Sequence, residues 1–343
     1  MPLASPLRIV SIGGGNGLSS LLRGLKRYAK PENGGIEITA VATVTDDGGS
    51  SGRLRRDLNV LPPGDVRNCM VALSEDEALL TRLFQYRFSG GRGLKGHSFG
   101  NLFLTAMTHL TGDFSQAVKL SAGVLPVRGR IYPSTAANVV LEATLADGSQ
   151  VSGETRISHT DSRIKRIALN PPRVKPLPET LEAIAQADLI TLGPGSLFTS
   201  VIPNLLIDGV AGAIAASPAL KAYFVNIMSQ PGETTSFRAS DHISAIRSHC
   251  SRAIRNRIID VCVVNDAAIP GRVLHRYQAS AAQPVENDLG NLKRLGMEVV
   301  STDLLRMSRT LAAGKIRHDP GAISAVAIEL AQQGRRRKRK LAS

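Results

Sequence analysis

Leu7-Arg8-Ile9-Val10-Ser11-Ile12-Gly13-Gly14-Gly15-Asn16-Gly17-Leu18-Ser19-Ser20-Leu21-Leu22-Arg23-Gly24-Leu25 is the stretch that decides the fold class. An apolar run ends in glycines, and Leu18, Leu21, Leu22 and Leu25 then recur with the spacing of one helical face. The order is strand, glycine turn, helix. Ile36 to Val44 is a second apolar run with β-branched residues, so the opening reads as a βαβ unit with a right-handed crossover.

The same pattern returns downstream. Asp188 to Leu192 enters Gly193-Pro194-Gly195-Ser196, and Lys221 to Met228 and Ile258 to Val264 are further buried strands, each followed by a polar loop. Helical patterns cover Val66 to Phe88, Phe99 to Leu110 and Gly321 to Gln333. Alternating strands and helices imply an α/β fold with a Rossmann-like, doubly wound, mostly parallel sheet. Asn138 to Leu145 and Val151 to Ser158, around Asp147-Gly148, read as a hairpin, an antiparallel excursion on that sheet within about residues 131–170. The expected organisation is a flexible N-terminus (1–6), one α/β domain (7–333) and a disordered basic tail (334–343), which has no apolar residue until Leu341.

Composition narrows the classes. Of 343 residues 32 are Gly, aromatics are 4% and Trp is absent, so the core must be built from Ala, Val, Leu and Ile. Lys and Arg outnumber Asp and Glu 42 to 28, a net +14 of which Arg335 to Lys340 carry six. Such an excess points to phosphates, nucleotides, nucleic acid or acidic lipid. Cys69, Cys250 and Cys262 lack Cys-x-x-Cys spacing, which argues against a disulfide framework or a zinc ribbon and fits a reducing compartment. Met1 to Pro6 lacks the features of a secretory signal. Leu189 to Ile207 is uncharged but broken by Pro194, Pro203 and glycines; it reads as buried core. A cytoplasmic, homo-oligomeric protein without a membrane span is expected.

The first glycine loop does not match a standard fingerprint. Gly13 and Gly15 fit the first two positions of G-x-G-x-x-G, but Leu18 stands at the third, and no Lys-Ser or Lys-Thr follows. What remains is physical: the N–H groups of Gly13, Gly14, Gly15, Asn16 and Gly17 at a helix N-terminus form an anion site. The alternative is a packing turn. Asp46-Asp47-Gly48-Gly49-Ser50-Ser51-Gly52-Arg53 leaves the second strand with adjacent carboxylates that cannot both be buried unpaired. Asp46 or Asp47 would hold Mg²⁺ or orient a hydroxyl, Gly48, Gly49, Ser50 and Ser51 would admit a ligand to the backbone, and Arg53 would neutralise phosphate. A capping loop with a solvated Asp is the other reading.

Asp65, in Pro62-Pro63-Gly64-Asp65-Val66-Arg67-Asn68, reads as an N-cap, with Arg67 and Asn68 candidates for a pocket rim. Gly96-His97-Ser98-Phe99-Gly100-Asn101 opens another helix; His97 is an acid, a base, a phosphate donor or a structural group, and Asn101 accompanies it. Gly193, Gly195 and Ser196, with Thr199 and Asn204 beyond them, place a second N–H-rich turn at a strand end. Asn226 and Gln230 end a third strand, hence share that sheet edge, where open α/β sheets bind ligands.

Taken together, the Gly13–Gly17, Asp46–Arg53, Pro62–Asn68, Gly96–Asn101, Gly193–Ser196 and Gln230–Thr234 motifs resemble the bacterial gluconeogenesis factor family, a relative of 2-phospho-L-lactate transferase, over roughly Leu7 to Glu329. The resemblance implies a Rossmann-like core, a uridine-diphosphate sugar (UDP-sugar) as ligand and a role in cell shape and cell-wall metabolism on gluconeogenic carbon. It also points to Tyr277 and Arg317 as ligand-binding residues; a Tyr stacks on a uracil face and an Arg forks onto a diphosphate. Asn16 stands where Thr is usual, Thr45 where Ala is usual, and the basic tail has no counterpart in the family.

Three functions compete on sequence. The first is a nucleotide-sugar-binding regulator without turnover. The second is a Mg²⁺-dependent transferase of the 2-phospho-L-lactate type, moving a phospholactyl group from a nucleotide diphosphate donor to a deazaflavin-like hydroxyl, with Asp46 and Asp47 catalytic. The third is polyanion binding through Arg335 to Lys340, against which stands the lack of interleaved aromatics.

Overall fold

Apolar residues on both faces of a strand mean that both faces are covered, and β1 (Leu7–Gly13) is in this position, central to a seven-stranded sheet. The computed structural model describes residues 5–29, 35–75, 77–278, 281–305 and 316–342. From the N-terminus, β1 leads into α1 (Gly15–Leu25), β2 (Ile36–Ala42), α2 (Gly49–Leu58), α3 (Gly64–Leu73), α4 (Glu77–Gln85), α5 (Phe99–Thr111), α6 (Phe114–Val124) and β3 (Arg130–Pro133). A lateral segment follows: β4 (Val140–Leu145), β5 (Gln150–Ser152), α7 (Glu154–Ile157) and β6 (Ile164–Asn170). The chain re-enters the main sheet through α8 (Pro178–Gln186) and β7 (Leu189–Leu192), then makes a π-helical turn (Leu197–Val201) continued by α9 (Ile202–Leu205). The remainder is α10 (Val210–Ala216), β8 (Leu220–Phe224), α11 (Ala239–Ser248), β9 (Val261–Asn265), α12 (Gly271–Gln278), α13 (Leu289–Arg294), β10 (Glu298–Thr302) and α14 (Pro320–Ala342).

The main sheet runs β10-β9-β8-β7-β1-β2-β3, with every pairing parallel. β2 and β3 lie to one side of β1, while β7 to β10 extend to the other, so the winding direction reverses between β1 and β7. That reversal opens a crevice at the carboxyl ends of these two strands. Register brings Ile12 opposite Leu192, and the Gly193 N–H continues the ladder to the Ile12 carbonyl at 2.9 Å. Both glycine turns therefore leave the sheet side by side.

Four expectations are corrected. The hairpin is not an extension of the main sheet: β4 pairs antiparallel with both β5 and β6 in a separate three-stranded sheet. The chain bends at Gly153, whose φ of 98° suits glycine, so the expected strand through Ser158 stops at Ser152 and becomes α7. The Val66–Phe88 helix is two helices, because Ser74 turns extended and bridges Val127. The segment 334–343 is not a disordered tail: α14 stays helical to Ala342.

The reason for the last correction is ionic. The apolar stripe Ile323, Ala327, Leu330 and Ala331 is buried, and one turn later Arg335 and Lys338, three residues apart on one face, close on Asp188 at 2.5 Å and 3.3 Å. Arg337 meets Asp260 at 3.3 Å. Arg335 also donates to the carbonyls of Ser5 and Pro6; residues 1–4 of the expected flexible N-terminus, like Ser343, lie outside the described residues. Leu189 to Ile207 is largely buried, as its reading as core required. Among the described residues no single helix is long and apolar enough to cross a membrane; the bent pair Leu197–Leu205 and Val210–Ala216, inclined at 77°, meets the length and composition criteria alone.

Candidate functional site

A cavity of about 540 Å³ occupies the crevice between the ends of β1 and β7. Its floor is the start of α1, whose first-turn N–H groups have no acceptor within the helix. Gly17 is required there: a Cβ would collide with the Pro194 carbonyl of the facing turn. Of the residues singled out on sequence, Gly14, Gly15, Asn16, Gly17, Gly195, Ser196, Thr199, Asn226, Gln230, Tyr277 and Arg317 line this cavity. Gln230 bridges two strand ends, donating to Ser196 Oγ at 2.8 Å and accepting from Asn226 Nδ2 at 3.2 Å. The Tyr277 hydroxyl accepts the Ile316 N–H, which ties α12 to the segment that presents Arg317.

The other candidates lie beside or beneath the wall. Gly13 and Gly193 pack against each other where the strands end. Asn204 is buried, with Nδ2 on the Ser200 carbonyl at 2.7 Å. The Asp46–Arg53 loop and the helix starts around it form a connected polar network. Ser50 Oγ meets His97 Nδ1 at 3.0 Å, and Asn101 Nδ2 donates to Ser51 Oγ at 3.3 Å. Arg67 reaches Asn101 Oδ1 at 3.0 Å, Ser98 Oγ at 2.6 Å and Asn68 Oδ1 at 2.8 Å. Arg53 donates to the Lys95 carbonyl at 2.7 Å. Burial, with Arg53 nearby, lowers the His97 pKa.

Asp65 is not the N-cap of its own helix. α3 begins after Pro63 without a side-chain cap, and Asp65 Oδ1 instead accepts the Gly15 N–H of α1 at 2.9 Å. Asp65 thus takes one of the free donors at the end of α1 and leaves those of Asn16 and Gly17 to the cavity.

Sequence reasoning passed over Glu154, Ser158, Glu233 and His318, which also line the cavity. Glu233 is buried, accepting from Ser158 Oγ and Thr199 Oγ1, each at 3.2 Å, and from the Phe198 N–H at 3.3 Å. Burial raises its pKa despite these donors. Glu154 Oε2 is buried without a partner among the described residues. Burial, then the charges of Asp46, Asp65, Glu233 and Asp47, push its pKa well up. Burial and Asp46 likewise push Asp65 up to about 7. His318 donates from Nε2 to the Val225 carbonyl at 3.1 Å, and burial lowers its pKa to about 4, so it is a neutral wall residue.

These carboxylates bear on Mg²⁺. Asp47 Oδ1 is taken by the Thr155 N–H at 2.8 Å and hydroxyl at 2.7 Å, and Asp46 Oδ1 by the Gly48 N–H at 2.9 Å. Among the described residues no three His, Cys, Asp or Glu side chains converge to hold a metal ion. Among the described residues the arrangement does not form a protein-only cation cage; burial and mutual repulsion instead raise the pKa values of Asp65 and Glu154.

Known proteins share this architecture. The family model described as 2-phospho-L-lactate transferase CofD matches residues 9–305. The gluconeogenesis factor of Bacillus subtilis (strain 168) is 45% identical over 326 residues, 95% of this chain and 98% of the relative. That of Halalkalibacterium halodurans is 48% identical over 293 residues, 85% of this chain and 88% of the relative. The crystal structure of protein BH3568 from Bacillus halodurans superposes with a TM-score of 0.88 at 45% identity, covering 94% of this chain and 100% of that one. With the fold and nearly the full length held in common, this chain belongs to the gluconeogenesis factor family, a relative of CofD.

Proposed function

We propose that the crevice binds a UDP-sugar and that the protein acts as a nucleotide-sugar-binding regulator of envelope precursor supply and cell shape, in the cytoplasm. One observation carries this reading: a cavity of about 540 Å³ at the reversal point of the sheet, with the N-terminus of α1 at one part of its wall and Tyr277 and Arg317 at another. The Asn16 and Gly17 N–H groups and Arg317 supply donors for a diphosphate. Tyr277 supplies a ring face for the base, and Asn226, Gln230 and Glu233 supply polar partners for sugar hydroxyls. The names of the relatives, gluconeogenesis factors, support the metabolic context. Calorimetric titration with UDP-N-acetylglucosamine is expected to give saturable one-site binding that Arg317→Ala weakens at least tenfold. No heat from the intact protein with any UDP-sugar would refute the proposal.

The match to the CofD family model favours transfer chemistry as a second reading. Glu154 is the acid poised for it, since it lines the cavity and burial with the neighbouring carboxylates pushes its pKa well up. Product formed from a nucleotide diphosphate donor in the presence of Mg²⁺, and lost in Glu154→Gln, would select this reading over binding without turnover.

A further inference from the structure

A second cavity, of about 340 Å³, lies between the small sheet and α11. Phe198 and Phe237, both buried, meet edge to face on its apolar wall with ring centroids 6.0 Å apart. Arg163 stacks over the Phe237 ring, its guanidinium carbon 4.9 Å from the centroid. Arg163 and Lys165 flank buried Ile164 at the start of β6, so strand alternation sends both cations to one side. Both are exposed at the rim, and no carboxylate among the described residues forms a salt bridge with either.

The remaining polar wall is fixed. His249 accepts the Ile167 N–H on Nε2 at 2.9 Å and donates from Nδ1 to the Ala245 carbonyl at 2.7 Å, which sets a neutral tautomer. Asp241 is the one acid on the wall, and its Oδ2 already receives the Arg238 N–H at 2.9 Å as part of the α11 capping box. Two cations over an aromatic wall face one capped carboxylate, and the complementary ligand is an aromatic ring carrying an anionic group.

Phe198 belongs to the π-helical turn Leu197–Val201, whose next residues, Thr199 and Ser200, line the crevice. Its N–H donates to Glu233 Oε2 at 3.3 Å, and Thr199 Oγ1 donates to Glu233 Oε1 at 3.2 Å. One turn thus has a ring in one cavity and two hydroxyls in the other.

We propose that this second cavity is a ligand site for a small aryl carboxylate or aryl phosphate, its ring against Phe198 and Phe237 and its anionic group between Arg163 and Lys165, and that occupation stiffens the Leu197–Val201 turn behind the crevice. Neither half rests on the identity of the crevice ligand. A neutral analogue loses the charge-assisted contacts, and coupling between sites sharing one element is reciprocal.

The probe is 2-naphthoate, titrated calorimetrically into the full chain, with neutral 2-naphthol as control. One-site binding is expected, with 2-naphthol at least tenfold weaker. The double variant Arg163→Ala/Lys165→Ala, altered at exposed positions and checked by circular dichroism and thermal midpoint, should lose at least tenfold, while Arg317→Ala in the crevice should bind as wild type. Amide exchange at Phe198 and Thr199 should slow on saturation. Undiminished binding by the double variant, or loss in Arg317→Ala, would place the probe elsewhere and overturn the site; unchanged exchange at a saturated site would overturn the coupling.

Discussion

Gly15 donates its N–H to Asp65 Oδ1 at 2.9 Å, joining the first turn of α1 to the first turn of α3. The carboxylate that receives this bond is crowded by burial and by Asp46, and its pKa rises to about 7. A raised folded-state value means that the native protein binds the proton more tightly than the unfolded chain. The associated stability is present below the unfolded value of 3.8 and is lost as pH rises through about 7. Asp65→Asn keeps an oxygen acceptor for Gly15 and removes the ionisation. Its thermal midpoint is expected to exceed that of wild type at pH 8, by the equivalent of a few kcal/mol, since each tenfold change in proton affinity is worth about 1.4 kcal/mol. The two midpoints should converge near pH 4. Melting curves at the two pH values decide, and an equal difference at both would exclude a titration origin.

Gly17→Ala drives a methyl group into the Pro194 carbonyl, so the two glycine turns must separate. The expected cost is about 1–3 kcal/mol of stability, as for other overpacked sites, together with weaker UDP-sugar binding. Gly15→Asn is the contrast. Its φ of 62° is one that Asn tolerates and its Cβ would point into open space, so stability should change little. Equal losses from both substitutions would mean that backbone contact is not what limits Gly17.

Tyr277→Phe keeps the ring and removes the hydroxyl that holds the Ile316 N–H. UDP-sugar affinity should fall about three- to tenfold by loosening Arg317, and Tyr277→Ala should fall further by losing the ring face as well. Calorimetry on both variants separates anchoring from stacking, and wild-type affinity in Tyr277→Phe would remove the anchoring role.

Asp188 is held by Arg335 and Lys338 and by the Arg8 N–H at 2.9 Å. Burial alone would raise its pKa, but these partners outweigh it and the value is lowered. The stability they contribute is present above 3.8 and is lost as pH falls through the lowered native value. Arg335→Ala should destabilise by about 1.5–3 kcal/mol at neutral pH, the range of a hydrogen bond to a charged partner. That loss should shrink as pH falls through this lowered value. Removing residues 334–343 should therefore lower the melting temperature as well as any affinity for polyanions. A deletion that melts like the full chain would return the segment to the status of an appendage.

The central βαβ unit and both glycine turns were legible because each carries a local signal: an apolar run, a glycine cluster, and leucines at helical spacing. The cavity floor followed from them. The small sheet was half legible. Its hairpin follows from Asp147-Gly148, but β6 pairs with β4 across a distance in sequence that no periodicity records. Glu154 entered the crevice unannounced for the same reason, since Gly153 was the sole local mark of the bend that delivers it. Glu233 sat in a loop already assigned to the right sheet edge, and only its burial distinguishes it from Gln230. The helical end of α14 was illegible in principle from apolar patterning, because it docks through charge on Asp188, 147 positions away.

That docking also has a proteolytic reading. Trypsin cuts after Lys and Arg in locally unfolded chain, and Arg335 to Lys340 in a loose tail would be six immediate targets. On a helix whose Arg335 and Lys338 side chains are folded onto Asp188, cleavage must wait for the helix to lift off, so the trimming rate at these bonds becomes a gauge of how often the start of β7 is uncovered.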